Sequence, residues 1–262
     1  MYILSQLPIS MPEKEYSNYY QLLYKAYDLT KEKDTQVTIK DVPKGFSDPS
    51  LLNYYGLRQL NGQEMVRSML QAEESGFDAI AGACYFDTGI KTVSNILSIP
   101  VIGPAMAAMN IASMIGENFA VITTESLWIP ELEHFTLFSE YGGKALRCKP
   151  IRALHMSMGE IVEDLLIGQY EKILEDFYSL SNEAIAQGAD VIIAGCGLIS
   201  PIFTVKEINQ IDGVPIIDPM VAALKLAEFM VHLKESNMAI KSEKGRFAHP
   251  PLEIQKNGIK WT

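Results

Sequence analysis

The chain has little cysteine, little histidine and no run of like charges. Its 262 residues include three cysteines and four histidines, and so few cysteines, odd in number, exclude a disulfide-stapled scaffold. His134, His155, His232 and His249 show no paired i,i+3 or i,i+4 spacing, so a metal site has no ligand pattern to stand on. Acidic and basic residues are interspersed around a net charge of -10, and without a Lys/Arg cluster to neutralise phosphates nucleic acid is not an expected partner. Met1-Tyr2-Ile3-Leu4-Ser5 carries neither a basic n-region nor a long apolar h-region, which makes a cytoplasmic location the expectation. The one long uncharged stretch, between Lys91 and Glu117, is broken by Pro100, Gly103 and Pro104. It reads as a helix end, a buried strand (Ile99 to Gly103) and a second helix (Pro104 to Ile115) rather than a membrane span. What remains, 48% hydrophobic and 21% charged residues, is an ordinary globular composition, long enough for one large domain or two modest ones.

Short β-branched runs alternate with stretches of helical spacing, the pattern of a parallel sheet in an α/β protein. The expected strands are Tyr2 to Ser5, Gln36 to Asp41, Asp78 to Ala83, Pro100 to Gly103, Phe119 to Thr123, Leu146 to Ile151, Asp190 to Ala194 and Pro215 to Ile217. Amphipathic segments at Tyr16 to Leu29, Gly62 to Ser75, Gly159 to Gln187 and Val221 to Ser236 fall between them.

The order of the pieces contains a repeat. Gly76-Phe77-Asp78-Ala79-Ile80-Ala81-Gly82-Ala83-Cys84 aligns without a gap on Gly188-Ala189-Asp190-Val191-Ile192-Ile193-Ala194-Gly195-Cys196. Downstream, Ile99-Pro100-Val101-Ile102-Gly103-Pro104 answers Val214-Pro215-Ile216-Ile217-Asp218-Pro219. The expected architecture is two pseudo-symmetric α/β domains, each a four-stranded, mainly parallel sheet flanked by helices, with the active-site cleft between them. Residues 1–104 plus 219–262 form the first, discontinuous domain and residues 105–218 the second, and the cleft lies beyond the carboxyl ends of the strands.

Cys84 and Cys196 each close an apolar strand where a helix should begin, a position that favours thiolate through free backbone N–H groups and the helix dipole. Packing alone gives no reason to place the same reactive side chain at both equivalent points of a repeat. A disulfide lacks the Cys-x-x-Cys arrangement, and a metal lacks further ligands. The remaining reading is a two-base proton transfer, one thiolate removing a proton from carbon and the opposite thiol returning one to the other face.

The segments Gly82-Ala83-Cys84-Tyr85-Phe86-Asp87-Thr88-Gly89 and Ala194-Gly195-Cys196-Gly197-Leu198, with Ile99 to Gly103 and Val121-Ile122-Thr123-Thr124, resemble the aspartate/glutamate/hydantoin racemase superfamily, most of all its hydantoin and allantoin racemase branch. The resemblance covers about Gln36 to Pro219. It implies a cofactor-independent racemase with Cys84 and Cys196 as acid and base, acting on a small molecule. The expected assembly is a homo-oligomer. Where the branch has Asn-Pro-Asn-Ser/Thr, this chain has Gln6-Leu7-Pro8-Ile9-Ser10. Thr88 stands where Pro is usual, and Gly197-Leu198-Ile199-Ser200-Pro201 replaces the usual Ala-Gly after the second cysteine. The Cys-Asn-Thr and Cys-Thr-His signatures of the amino-acid racemases are missing, and Tyr85 and Phe86 give an apolar wall suited to a neutral or weakly acidic ring, whose enolate backbone N–H groups after each cysteine would hold.

Expected substrate contacts are therefore Ser10, Tyr85, Phe86, Asp87, Thr123, Thr124, Gly197 and Leu198, with Asp87 split between substrate contact and capping of the following helix. Cys148, between Arg147 and Lys149, reads as a bystander, and Tyr16, Tyr19, Tyr20, Tyr24 and Tyr27 read as a core or subunit-contact stripe. The alternatives are a decarboxylase or cis-trans isomerase on the same scaffold, an aspartate or glutamate racemase, and a binding or accessory protein without turnover.

Overall fold

The computed structural model describes residues 1–245 and Ala248. Residues 246–247 and 249–262, including His249 and the end of the expected first domain, lie outside the described residues. The first sheet comprises β1 (Tyr2–Gln6), β2 (Gln36–Lys40), β3 (Ala79–Gly82) and β4 (Val101–Ile102), parallel throughout in the order β2-β1-β3-β4. The second comprises β5 (Phe119–Thr123), β6 (Ile151–Ala153), β7 (Val191–Ala194), β8 (Gln210–Ile211) and β9 (Val214–Ile217) in the order β6-β5-β7-β9-β8. Around them lie α1 (Ser17–Thr30), α2 (Tyr55–Leu70), α3 (Ile90–Ile96), α4 (Pro104–Ile115), α5 (Ile129–Leu137), α6 (Met158–Ile167), α7 (Glu171–Ala186), α8 (Ser200–Val205) and α9 (Pro219–Glu235). No helix among the described residues is long and apolar enough to cross a membrane.

The central strands β3, β5 and β7 are buried along their whole length, as strands covered by helices on both faces must be. The repeat in the sequence is a repeat in register. Ile3 to Gln6 pair with Ala79 to Gly82, and Phe119 to Ile122 pair with Val191 to Ala194, so the aligned residues occupy equivalent rungs of the two ladders. The same holds for Ile80 with Val101 and Ile192 with Ile216. Asp78 and Asp190 serve their strands alike. The Asp78 carboxylate accepts the Tyr2 N–H at 2.8 Å, and Asp190 accepts the N–H groups of Glu117 at 2.9 Å and Asn118 at 2.8 Å.

Three elements differ from expectation, each for a local reason. The second sheet has a fifth strand, because Asp212 (φ 49°) and Gly213 (φ 82°) supply the left-handed pair of a tight hairpin that folds β8 antiparallel onto β9. The strand expected at Leu146 to Ile151 forms only from Ile151 to Ala153. Lys149 turns left-handed (φ 49°) and Pro150 has no N–H to give, leaving Ala145 as an isolated bridge to Phe119. The segment from Gly159 to Gln187 is two helices, since Gly168 ends α6 at φ 73°.

Helices α4 and α9 cross between the sheets. α4 leaves β4 of the first sheet and packs on β7 of the second, while α9 leaves β9 of the second and packs on β3 of the first. They pack against each other, and both bury small residues, Ala105, Ala108 and Ala112 on α4 and Ala222, Ala223 and Ala227 on α9. Both start with Pro at the first turn, where a missing N–H costs nothing.

Their caps are delivered differently. Asp218 caps α9 from its own N-cap position, accepting the Met220 N–H at 2.9 Å. The equivalent of Asp218 in the first half is Gly103, and there Asp87 supplies the carboxylate, accepting the N–H groups of Ala105 (2.8 Å) and Met106 (3.0 Å). A Cβ on Gly103 would lie 2.3 Å from the Asp87 Cγ, so the glycine leaves the room that the carboxylate fills. Asp87→Gly is expected to cost about 1–2 kcal/mol as a lost cap, and Gly103→Asp alone to destabilise by overlap with Asp87. The double variant should recover most of the loss, because its cap then comes from the N-cap position as in α9. Urea unfolding of the four proteins checks this, and losses that simply add contradict it.

Candidate active site

The carboxyl ends of β3 and β7 deliver Cys84 and Cys196 to one cavity of about 60 Å³. Its walls come from the two cysteine loops (Ala83, Cys84, Tyr85, Phe86 and Thr88; Gly195, Cys196, Gly197 and Leu198), from Pro8 and Ile9 after β1, from the 3-10 turn Pro49–Asn53, and from Tyr19, Arg58, Asn61, Trp128 and Met158. Cys84 keeps some exposed surface, whereas Cys196 is buried.

Each thiol has a hydroxyl neighbour at 3.5 Å, Thr88 for Cys84 and Thr124, which donates to Cys196. The Phe86 N–H also faces Cys84, and the N–H groups of Leu198 and Ile199 face Cys196. The backbone amides expected to hold a substrate oxygen are thus turned on the thiols themselves. Nor does either cysteine stand at a helix start, since α3 begins at Ile90 and α8 at Ser200, each after an intervening turn closed by Asp87 N–H to the Cys84 carbonyl or Ile199 N–H to the Cys196 carbonyl.

Burial outweighs these donors and pushes both thiols up. Cys196 rises to about 11, with the Thr124 hydroxyl and the Leu198 N–H pulling the other way. Cys84 also rises through burial, opposed by the Thr88 hydroxyl and the Phe86 N–H, with the Arg58 guanidinium adding a smaller pull downward. Neither thiol therefore shows the lowered pKa expected from the helix dipole.

Of the other sequence candidates, Tyr85, Phe86, Gly197 and Leu198 line the cavity. Thr124 reaches the chemistry through Cys196. Asp87 caps α4 rather than the helix that follows it in sequence, with both carboxylate oxygens engaged and burial raising its pKa to about 7. Ser10 is tied by its N–H to the Phe46 carbonyl, and Pro8 and Ile9 take the place at the wall that it was expected to fill. Thr123 is fully buried at the end of β5 and is not among the lining residues. Cys148 is exposed and away from the cavity. Of the expected tyrosine stripe, Tyr19, Tyr20 and Tyr27 are core and Tyr16 and Tyr24 are half-buried against it, with the addition that Tyr19 lines the cavity and donates to the Gly197 carbonyl at 2.9 Å, bracing the second cysteine loop.

Sequence reasoning missed Arg58, Asn61, Trp128 and Met158. Arg58 is 6% exposed, donates to the Leu52 carbonyl at 2.8 Å and is paired with Glu131. Asn61 ties the Pro8 carbonyl to the Phe46 N–H. No spacing rule joins these positions to the cysteines. Among the described residues, no group of three or more His, Cys, Asp and Glu side chains is placed to hold a metal ion.

Two mainly parallel sheets in matched register, each delivering a thiol to a shared cavity, define a pseudo-symmetric α/β protein. The chain belongs to the Asp/Glu/hydantoin racemase family, a family of isomerases, whose model matches residues 28–227. It is 31% identical over 167 residues to a hydantoin racemase of Rhizobium meliloti, a match spanning 64% of this chain and 66% of that protein. It is 26% identical over 214 residues to a hydantoin racemase of Pseudomonas sp. (strain NS671), spanning 80% of each. In fold it is similar to an allantoin racemase from Pseudomonas fluorescens (TM-score 0.72, 22% identity, 96% of this chain and 97% of that one). An allantoin racemase from Klebsiella pneumoniae gives a TM-score of 0.71 at 21% identity over 95% of this chain and 94% of that one.

In a Cys148→Ser background, alkylation by iodoacetamide followed by mass spectrometry should label Cys84 at lower pH than Cys196. Thr124→Val removes a donor to the Cys196 thiolate and should move Cys196 labelling to still higher pH, leaving Cys84 unchanged. Cys196 labelling ahead of Cys84 contradicts the assignment.

Proposed function

We propose that the chain is a cofactor-independent racemase of hydantoin-like carbon acids, with Cys84 and Cys196 as the opposed acid and base. The observation that carries this reading is the convergence of two thiols, from equivalent ends of β3 and β7, on the walls of one small cavity. In the forward direction the thiolate of one cysteine removes the proton at C5 of the ring. The C–H electron pair moves onto the adjacent carbonyl as an enolate, and the thiol of the other cysteine delivers its proton to the opposite face of C5. The product is the other enantiomer, and the two sulfurs have exchanged protonation states. The largely apolar lining, with Tyr85, Phe86, Leu52 and Leu198, suits a flat neutral ring. In this reading residues 1–104 with 219–262 and residues 105–218 form the two domains that supply one thiol each.

Tyr85 holds the ring. Its hydroxyl is buried without a hydrogen-bond partner among the described residues, and its Cε1 lies 3.3 Å from where a Cβ on Gly195 would sit, which places it between the two cysteine loops. A ring carbonyl would satisfy it. The decarboxylase and cis-trans isomerase readings make less use of two thiols, and a binding role makes none.

Incubation in heavy water with 5-substituted hydantoins, allantoin, aspartate and glutamate, followed by chiral chromatography and the loss of the α-proton signal, tests the class. A hydantoin-type substrate should racemise with solvent deuterium incorporated, and the Cys84→Ser, Cys196→Ser double variant should fall to the uncatalysed rate. Tyr85→Phe should lower kcat/KM about tenfold on every ring substrate. Racemisation of the amino acids alone, or an active double variant, overturns the reading.

A further inference from the structure

One wall of the cavity runs outward from the first cysteine loop, and the reaction itself makes no use of it. The Phe86 ring meets two side chains: the Arg58 guanidinium carbon lies 4.2 Å from its centroid, and the Trp128 ring meets it edge-on at 5.5 Å between centroids. Arg58 is fixed by the Leu52 carbonyl and by Glu131, which is 37% exposed, so this wall leads from Cys84 toward the surface. Trp128, the residue from which α5 departs, is 6% exposed, and its Nε1–H is buried without a hydrogen-bond partner among the described residues. A buried donor left unpaired is costly, and native proteins keep few of them. Here it stands on a cavity wall beside the only charged side chain among the described lining residues.

We infer that Trp128 and Arg58 form a substituent-recognition subsite, taking a 5-substituent that ends in a hydrogen-bond acceptor oxygen, either a carbonyl or a carboxylate. The inference rests on the racemase reading, which places the ring between the thiols and so directs its substituent along this wall. The groups offered are all donors: an indole N–H and a guanidinium edge. A plain alkyl substituent would leave the indole N–H stranded, whereas an acceptor oxygen pairs with it beside the positive charge of Arg58. The discrimination therefore comes from the cost of stranding a buried donor, which exceeds the gain from an extra methylene in an apolar pocket.

The test compares racemisation of 5-(carbamoylmethyl)hydantoin, 5-(carboxymethyl)hydantoin and the near-isosteric 5-isobutylhydantoin by the wild type and Trp128→Phe, which keeps an aromatic ring against Phe86. The wild type should favour the two acceptor-bearing substrates about tenfold in kcat/KM, and Trp128→Phe should erase that preference, raising KM for the acceptor-bearing substrates about tenfold more than for the isobutyl compound. The ratio between amide and carboxylate tells a neutral acceptor from an anionic one. Indole N–H resonances of the ¹⁵N-labelled wild type supply a second readout that does not depend on a folded variant: the Trp128 signal should move downfield with the acceptor-bearing ligands and stay in place with isobutyl. Equal rates on all three substrates with an unmoved indole signal overturn the subsite while leaving the racemase reading intact. Racemisation of none of these three, nor of allantoin, overturns that reading, and the indole signal then judges the subsite by binding alone.

Discussion

Two buried carboxylates set the geometry on which the cavity depends. Asp87 and Asp218 accept the first free N–H groups of α4 and α9, the two helices that cross between the sheets, and so fix where each chain turns after β4 and β9. Thr204 adds a hydroxyl hydrogen bond of 2.7 Å to Asp218. Asp87 does more than cap: its own N–H closes the turn after Cys84, so one residue ties the start of α4 to the loop that carries the first thiol. The repeat has kept the cap and moved its source, with Asp at residue 87 and Gly at 103 in one half, and Ile at 199 and Asp at 218 in the other. A carboxylate in either place does the same electrostatic work at the helix start, provided that the other place stays empty.

The same burial that makes the site sets its chemistry. Removing the thiols from water raises both pKa values, and one amide at Cys84, two at Cys196 and a hydroxyl at each recover part of that cost. A thiolate held in such a place has a higher proton affinity than one in water, which narrows the gap to a weakly acidic carbon. The two positions are unequal. Cys84 has Arg58 nearby and some exposed surface, while Cys196 is enclosed, braced by Tyr19 through the Gly197 carbonyl and served by Thr124. In the proposed two-thiol reaction, which has to run in both directions, the two sulfurs therefore hold their protons with unequal strength.

Most of the framework was legible because it is carried by contiguous sequence. The two nine-residue segments ending in Cys84 and Cys196 align by eye, and their strands pair in matching register. The hairpin of β8 and β9 is also written in the sequence, as Asp212-Gly213, but the run before it is too short to look like a strand. The break of the long helical segment at Gly168 is hidden because hydrophobic spacing continues on both sides of it. The cavity wall was harder to read. Arg58 looks like any solvent-facing cation on a helix, and its burial depends on Leu52, Glu131 and Phe86, none of which its own spacing points to. Asp87 was placed near the substrate because it follows Cys84 closely, yet its backbone turns left-handed at φ 50° and sends the carboxylate to α4.

The central claim is that each thiol serves one face of the same carbon. The most direct measurement follows deuterium exchange at C5 of each separated enantiomer of a racemised hydantoin, catalysed by Cys84→Ser and by Cys196→Ser alone. The account predicts that neither single variant racemises, that each still exchanges the proton of one enantiomer only, and that the two variants choose opposite enantiomers. Exchange of the same enantiomer by both variants, or racemisation that survives the loss of either sulfur, would contradict it.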